Sequence, residues 1–181
     1  LVIVSTIPTG VIGILFKDTV ELAGTMLIVP GICLLITSVF LVIADYADEG
    51  TKRPREASYV NAGLIGVAQG IATMPGLSRS GTTITACLLC GFEKKFAVKY
   101  SFIMSIPAVL GAVVLELKAV AKAPLQASAV PACAVATVIS AIVGYLSICI
   151  MMRLIQGKKY KIFAVYCAIV GLITVGYGIF R

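Results

Sequence analysis

The sequence predicts an all-α protein, a polytopic membrane bundle of helices that contains one re-entrant helix-loop-helix hairpin. Three observations carry this. Apolar residues fill 60% of the 181 positions and the mean hydropathy is +1.06. Only 15 basic and 8 acidic residues are present, about half the charged share of an ordinary soluble domain, and nearly all fall in gaps between apolar runs. One apolar region, residues 59–92, is broken in its middle by a polar, Pro/Gly-containing decapeptide running from Met74 to Thr83. A soluble core of this size needs a polar skin, and disordered, collagen-like or coiled-coil chains need far more Pro, Glu or Lys. At about 20 apolar residues per crossing, the length admits roughly five to seven passes within a single integral membrane domain, 1–181.

The first apolar run, residues 1–16, reaches only about 24 Å at 1.5 Å per residue, short of the ~30 Å of hydrocarbon. It reads as a helix cut at the start of the chain. The chain opens at Leu1 already in apolar sequence, as a fragment or processed form would, and without the flank and cleavage site of a secretory signal. Residues 24–44, 96–117 and 129–152 are each long enough to span. Residues 162–180 suffice with little tilt, with Tyr160 and Tyr177 suited to the interfaces. Pro30, Pro107 and Pro131 are expected to kink their spans.

Residues 59–74 and 82–92 are too short to cross. Pro75 has no amide hydrogen and biases Met74 away from helical geometry, while Gly76 and Gly81 permit backbone angles other residues avoid. A helix must end there. In lipid such a break is tolerated only inside protein or beside a water-filled cavity, so residues 59–92 are expected to enter as a short helix, turn at depth and return. Gly63, Gly66, Gly70, Ala62, Ala68 and Ala72 let the first arm pack closely on its neighbours.

Charge distribution supports this topology. With the hairpin entering and leaving on one side, that side collects Lys52, Arg53, Arg55, Lys94, Lys95, Lys99, Arg153, Lys158, Lys159 and Lys161, against Lys17, Lys118, Lys122 and Arg181 opposite. Treating 59–92 as one crossing reduces this ten-to-four bias to eight against six. The positive-inside rule then places the ten-charge face in the cytoplasm and the C-terminus outside; two full short crossings give the same count. Lys94, Lys95 and Lys99 serve as cytoplasmic anchors within reach of lipid headgroups. No basic stripe with interleaved aromatics appears, so nucleic acid is not a partner. The six cysteines lie in or beside apolar runs, as packing residues do; Cys87 and Cys90 have CxxC spacing but neither a second pair nor a histidine beside them, and no metal site is assigned.

Arg79 is the only basic residue away from the loops. A guanidinium near mid-bilayer costs about 2.5 to 3.5 kcal/mol on insertion scales and needs an anionic partner or a wet cavity. Around it stand the hydroxyls of Ser78, Ser80, Thr82, Thr83 and Thr85, the glycines Gly76 and Gly81, and a helix start near Gly81. Guanidinium, hydroxyls and free amides at a helix N-terminus are what a phosphate requires, which makes Gly76, Ser80, Gly81 and Thr82 phosphate-binding candidates around Arg79. The alternative is structural: Ser and Thr cap the second short helix while Arg79 pairs with an internal acid, for which Glu116 is the one carboxylate near the end of a span.

Taken together, Gln69, the string Pro75-Gly76-x-Ser78-Arg79-Ser80-Gly81-x-Thr83, then Gly91, Ala97, Tyr100-Ser101-Phe102 and the Pro107 to Gly111 segment resemble the undecaprenyl-diphosphate phosphatases, the bacitracin-resistance family of bacterial membranes. Ile7-Pro8, Gly13 and Phe16-Lys17-Asp18 extend the likeness over essentially the whole chain. The string is not a Walker loop, which needs Gly-x4-Gly-Lys. The resemblance implies hydrolysis of undecaprenyl diphosphate to the monophosphate carrier and inorganic phosphate, recycling the carrier for peptidoglycan synthesis and conferring bacitracin resistance. It implies an inverted-repeat architecture in the cell membrane, each half contributing a re-entrant hairpin, with an outward-facing site; the chain corresponds to the C-terminal two thirds.

The family's glutamate pair and histidine belong to an N-terminal hairpin outside this sequence, which has no histidine; a divalent cation, Mg or Ca, would find its ligands there and none in this chain. Mapped by motif, the catalytic positions are Ser78, Arg79 and Thr83. Ser78 suits a phosphate ligand better than a nucleophile, because no activating base is visible. Gln69 either orients a loop group or glues helices together. The partners to expect are the polyprenyl diphosphate and membrane lipids, with a homodimer left open. The competing reading is a polyprenyl-phosphate transporter or flippase, since re-entrant hairpins in inverted repeats also build alternating-access sites; the blandest is a packing bundle without activity of its own.

Overall fold

The apolar runs fold as helices. The computed structural model describes residues 1–47, 50–122, 130–156 and 160–180. Among these, eight α-helices account for most of the chain: α1 (Val2–Leu15), α2 (Lys17–Thr25), α3 (Ile28–Tyr46), α4 (Tyr59–Ile71), α5 (Arg79–Leu89), α6 (Lys94–Lys122), α7 (Val130–Gln156) and α8 (Tyr160–Ile179). A 3-10 turn at Pro54–Glu56 precedes α4, and the described β-structure is a single isolated bridge between Lys52 and Phe92. α3, α8 and the stretches Lys94–Val114 of α6 and Val130–Ile150 of α7 are long and apolar enough to cross a bilayer. The chain is a multi-pass membrane protein. α4 and α5, with 13 and 11 residues, reach only about 20 and 17 Å at 1.5 Å per residue.

Two features differ from the sequence reading. Residues 17–25, of which only the last two fall in an apolar run, form α2, set at 62° to α1. This segment is amphipathic rather than apolar: Ala23 is buried, while Lys17 and Glu21, 3.6 Å apart at i,i+4, stay exposed. Pro30 and Pro131 do not interrupt spans. They are the third residue of α3 and the second of α7, in the first turn, where a missing amide hydrogen costs nothing. Pro107 does lie inside α6, and Pro8 inside α1.

Small residues set the helix contacts. α3 and α8 run antiparallel with Gly31 against Val175 and Gly171, and Ile28 against Gly178; a Cβ on Gly31 or Gly178 would lie 2.7 Å from its neighbour. Ser38 donates to the Ala164 carbonyl (2.8 Å) along the same seam. α1 lies parallel to α4, where Gly66 abuts Ser5 and Pro8, and Gly70 abuts Ile12. Of the glycines expected to serve this arm, Gly63 has nothing within 4 Å. Between α1, α4 and α6 the Thr9 hydroxyl reaches the Gly66 carbonyl (2.8 Å) and the Ser5 hydroxyl meets that of Tyr100 (2.5 Å). The shared core beneath the hairpin is Ile65, Ile84, Cys87, Leu88, Phe92, Val98 and Met104. α7 exposes nearly all its described side chains, as an apolar helix does when lipid is its surround. All six cysteines are free.

One end of the bundle is basic. Gly91 takes φ +85° just after α5, a conformation glycine enters without a Cβ penalty. Its carbonyl accepts the Lys52 amide (3.0 Å), and Lys52 Nζ donates to the Cys90 carbonyl (2.9 Å), a cation at a helix C-terminus. Arg53 lies 3.9 Å from Glu93, and Lys161 lies 3.7 Å from Asp45 and 4.6 Å from the Tyr46 ring centroid. Lys158, Lys159 and Arg181 lie outside the described residues, as do the side chains of Arg153, Lys118, Lys122 and Glu116.

The α1–α4 contact makes a direct prediction. Gly66→Ala forces the two helices apart and should destabilise the detergent-solubilised chain by about 1–3 kcal/mol, read as a lower midpoint in thermal circular dichroism. Gly63→Ala, facing open space, should leave the midpoint unchanged or raise it.

Candidate functional site

The turn between α4 and α5 is held from α3. Leu77 N donates to the Met74 carbonyl (3.1 Å), and Gly76 sits at φ +88°. The Pro30 carbonyl fills the place a Cβ on Gly76 would occupy, so both conformation and space demand glycine. A single hydroxyl, Thr37 Oγ1, donates to the Gly76 carbonyl (3.2 Å) and accepts from the Ser78 amide (2.9 Å). Thr37 is the central residue of the 19 in α3, roughly 13 Å from either end at 1.5 Å per residue. The loop is therefore level with the middle of a full-length span.

Ser78 is the N-cap of α5, its Oγ accepting from the Gly81 amide (3.2 Å). The first amides of a helix have no partner within it. Those of Ser78 and Gly81 are satisfied by Thr37 and Ser78, which leaves the amides of Arg79 and Ser80 at the positive end of the α5 dipole. Arg79 and Ser80 line, with Ser101, Phe102 and Ser105 of α6, a cavity of about 250 Å³. Among the described residues the acids within 4 Å of a cation are Glu21, Glu93 and Asp45, none of them paired with Arg79. The residues that line the cavity thus carry one guanidinium, three hydroxyls and one aromatic ring. That set suits an oxyanion: charge-assisted donors shorten and strengthen such bonds, and a helix N-terminus adds partial positive charge. It does not suit a divalent cation, and the described residues hold no group of three His, Cys, Asp or Glu side chains.

The remaining positions separate. Thr83 is fully buried, with Oγ1 2.9 Å from the Arg79 carbonyl and 2.5 Å from Ser101 Oγ; it stands behind the cavity wall rather than in it. Thr82 is buried with its Oγ1 unpartnered among the described residues. Thr85 reaches the carbonyls of Gly81 and Phe40, an α5–α3 packing contact. Ser78 faces away from Arg79, into a narrow apolar crevice of about 130 Å³ between α3, α5 and α8. Gln69 is fully buried and donates to Thr9 Oγ1 (3.3 Å) and the Met104 carbonyl (3.4 Å), while its Oε1 has no partner among the described residues.

Three residues at the loop and cavity were not singled out from sequence as site residues: Thr37, Ser101 and Ser105. Each had a signal. Thr37 is a hydroxyl at the centre of an apolar run, and Ser101 and Ser105 are spaced i,i+4 on one face of α6. Ser105 itself donates to the Phe102 carbonyl (2.7 Å).

Comparison with known proteins gives the family. A family model described as bacitracin resistance protein BacA matches residues 1–173. Curated relatives named undecaprenyl-diphosphatase include one from Methanosphaera stadtmanae, 42% identical over 177 residues, covering 97% of this chain and 62% of the relative. Another, from Halothermothrix orenii, is 39% identical over 97% of this chain and 68% of its own length. A third, from Methanobrevibacter smithii, is 42% identical over 96% and 62%. The chain spans between 62% and 68% of the length of these relatives.

The loop clamp is testable without any substrate. Thr37→Val keeps the side chain's shape and removes both bonds to the loop, each worth about 1 kcal/mol. Hydrogen–deuterium exchange of the peptide carrying the Ser78 amide should accelerate roughly 5- to 30-fold, and Thr37→Ser should restore protection.

Proposed function

Because the chain belongs to the bacitracin resistance protein BacA family, we propose that it acts as an undecaprenyl-diphosphate phosphatase. It would release inorganic phosphate and return undecaprenyl phosphate for another round of peptidoglycan synthesis, and so confer bacitracin resistance. The observation that carries the reading is the Arg79 cavity: a guanidinium level with the middle of the spans, with no acid of the described residues on it, facing hydroxyls. The names of the relatives favour hydrolysis over transport.

In this reading the α4–α5 hairpin is re-entrant from the cytoplasmic face of the plasma membrane, where the basic end of the bundle lies, and the cavity receives the diphosphate. Arg79 offers parallel N–H donors to two non-bridging oxygens of the terminal phosphate. The amides of Arg79 and Ser80 and the hydroxyls of Ser80 and Ser105 complete the shell. As the anhydride P–O bond breaks, charge spreads over the equatorial oxygens and the leaving phosphate, and fixed donors in a water-poor site stabilise it without having to reorganise. Attack on the terminal phosphorus by water gives inorganic phosphate and the lipid monophosphate. Ser78, whose oxygen accepts the Gly81 amide, sets the direction of the α5 N-terminus. A divalent cation, Mg or Ca, would neutralise phosphate charge when bound; the donors lining this cavity do not fit one, so its ligands would be carboxylates outside the described set.

Arg79→Ala should lower phosphate release from a polyprenyl diphosphate by roughly 10³-fold while the protein still inserts, and Arg79→Lys should recover little because the two-pronged geometry is lost. Wild-type turnover in Arg79→Ala would overturn the assignment. A chelator should abolish turnover, and added Mg or Ca should restore it.

A further inference from the structure

Thr83 and Ser101 are joined more closely to each other than either is to its surroundings. Thr83 is fully buried and absent from the cavity lining, whereas Ser101, 3% exposed, both lines the cavity and meets Thr83 Oγ1 at 2.5 Å. The Thr83 hydroxyl has one proton and three acceptors in reach: the Arg79 carbonyl (2.9 Å), the Ser80 carbonyl (3.2 Å) and Ser101 Oγ (2.5 Å). The two carbonyls stand in the first turn of α5, where amides four residues on already supply their helical bonds. Neither needs the threonine proton. Ser101 likewise has one proton, to give either to Thr83 or to whatever occupies the cavity.

We propose that Ser101 is a substrate-binding residue and Thr83 a positioning residue that acts through it. An anionic phosphate oxygen beside Arg79 draws the Ser101 proton into the cavity. Thr83 then turns its own proton from the α5 carbonyls to Ser101 Oγ, which polarises Ser101 as a stronger donor. Only hydroxyl rotations are involved; no covalent bond is made or broken. The two residues therefore work in series, although motif position alone would set Thr83 directly on the phosphate. This inference rests on the reading of the Arg79 cavity as a phosphate site.

A double-mutant cycle on the protein in lipid nanodiscs tests it, with a polyprenyl diphosphate for turnover and inorganic phosphate for binding by calorimetry. Ser101→Ala should weaken phosphate binding and raise KM roughly tenfold or more, and Thr83→Val should do so to a smaller degree. The double variant should be no worse than Ser101→Ala alone, and Thr83→Ser should restore wild-type behaviour. Effects that multiply in the double variant, wild-type binding by Ser101→Ala, or a Thr83→Ser variant as impaired as Thr83→Val would each overturn the series arrangement. Phosphate binding with the series pattern but without turnover would uphold the relay and remove the hydrolase reading. Turnover with multiplying effects would do the reverse, and a wild type that binds no phosphate would remove both.

Discussion

An interruption of helix inside an apolar bundle exposes backbone polar groups that lipid cannot satisfy, and each one left bare costs several kcal/mol. The rest of this structure depends on how that debt is met between Ile71 and Arg79. The Thr37 hydroxyl serves both the Gly76 carbonyl and the Ser78 amide, the Ser78 hydroxyl serves Gly81, and Gly76 lets the chain lie directly against the backbone of Pro30. A side chain at 76 or an apolar residue at 37 would leave the turn without its partners. The break is thus fastened to the α3–α8 pair, whose glycine seam brings two full-length spans into contact.

Fastening the turn fixes the direction of α5, and that direction gives Arg79 its surroundings. Residues 78 to 81 are the first turn of a helix that runs antiparallel to α6, so Arg79 and Ser80 meet Ser101 and Ser105 while Ser78 is turned toward α3 and α8. A guanidinium, two free amides and three hydroxyls converge because one helix starts at mid-span beside another that passes through it. The opposite end of α5 is anchored as firmly, through Gly91 and Lys52, which keeps the basic end of the bundle together and the half-helix from sliding.

Much of this was legible in the sequence, for reasons that can be stated residue by residue. Pro75, Gly76 and Gly81 announce a broken helix by backbone chemistry alone, and an arginine among hydroxyls in an apolar stretch announces a polar cavity by its desolvation cost. Span positions follow from hydropathy. What could not be read was any relation between distant segments. Thr37 is an ordinary residue for an apolar helix until its level with the turn is known, 41 positions away from Ser78. The amphipathic α2 carries no apolar run, and prolines at 30 and 131 look like kinks until the helix starts are fixed two residues upstream or fewer. Gln69 has the chemistry to orient a loop or to tie helices, and its bonds to Thr9 and Met104, on two other helices, could not be read from its place in the chain.

An internal acid beside Arg79 would lower the cost of burying it, yet it would also occupy the donors that the proposed function assigns to an anion. Burying an uncompensated guanidinium at about 2.5 to 3.5 kcal/mol is a large share of the 5–15 kcal/mol by which a domain is stable, so it persists only where something offsets it. The cavity of about 250 Å³ has room for several waters, and a hydrated surround would lower the cost of the cation in the free protein. Under the proposed function, a phosphate would displace them and supply in their place a full negative charge in a medium where charges interact more strongly than in water. The same term that makes the free site costly therefore makes the occupied one favourable, and it does so only for a ligand that brings charge. A neutral lipid would displace the waters and leave the guanidinium bare, so under the proposed function selectivity for a charged ligand would follow from the lack of an acid beside Arg79 among the described residues as much as from the donors there.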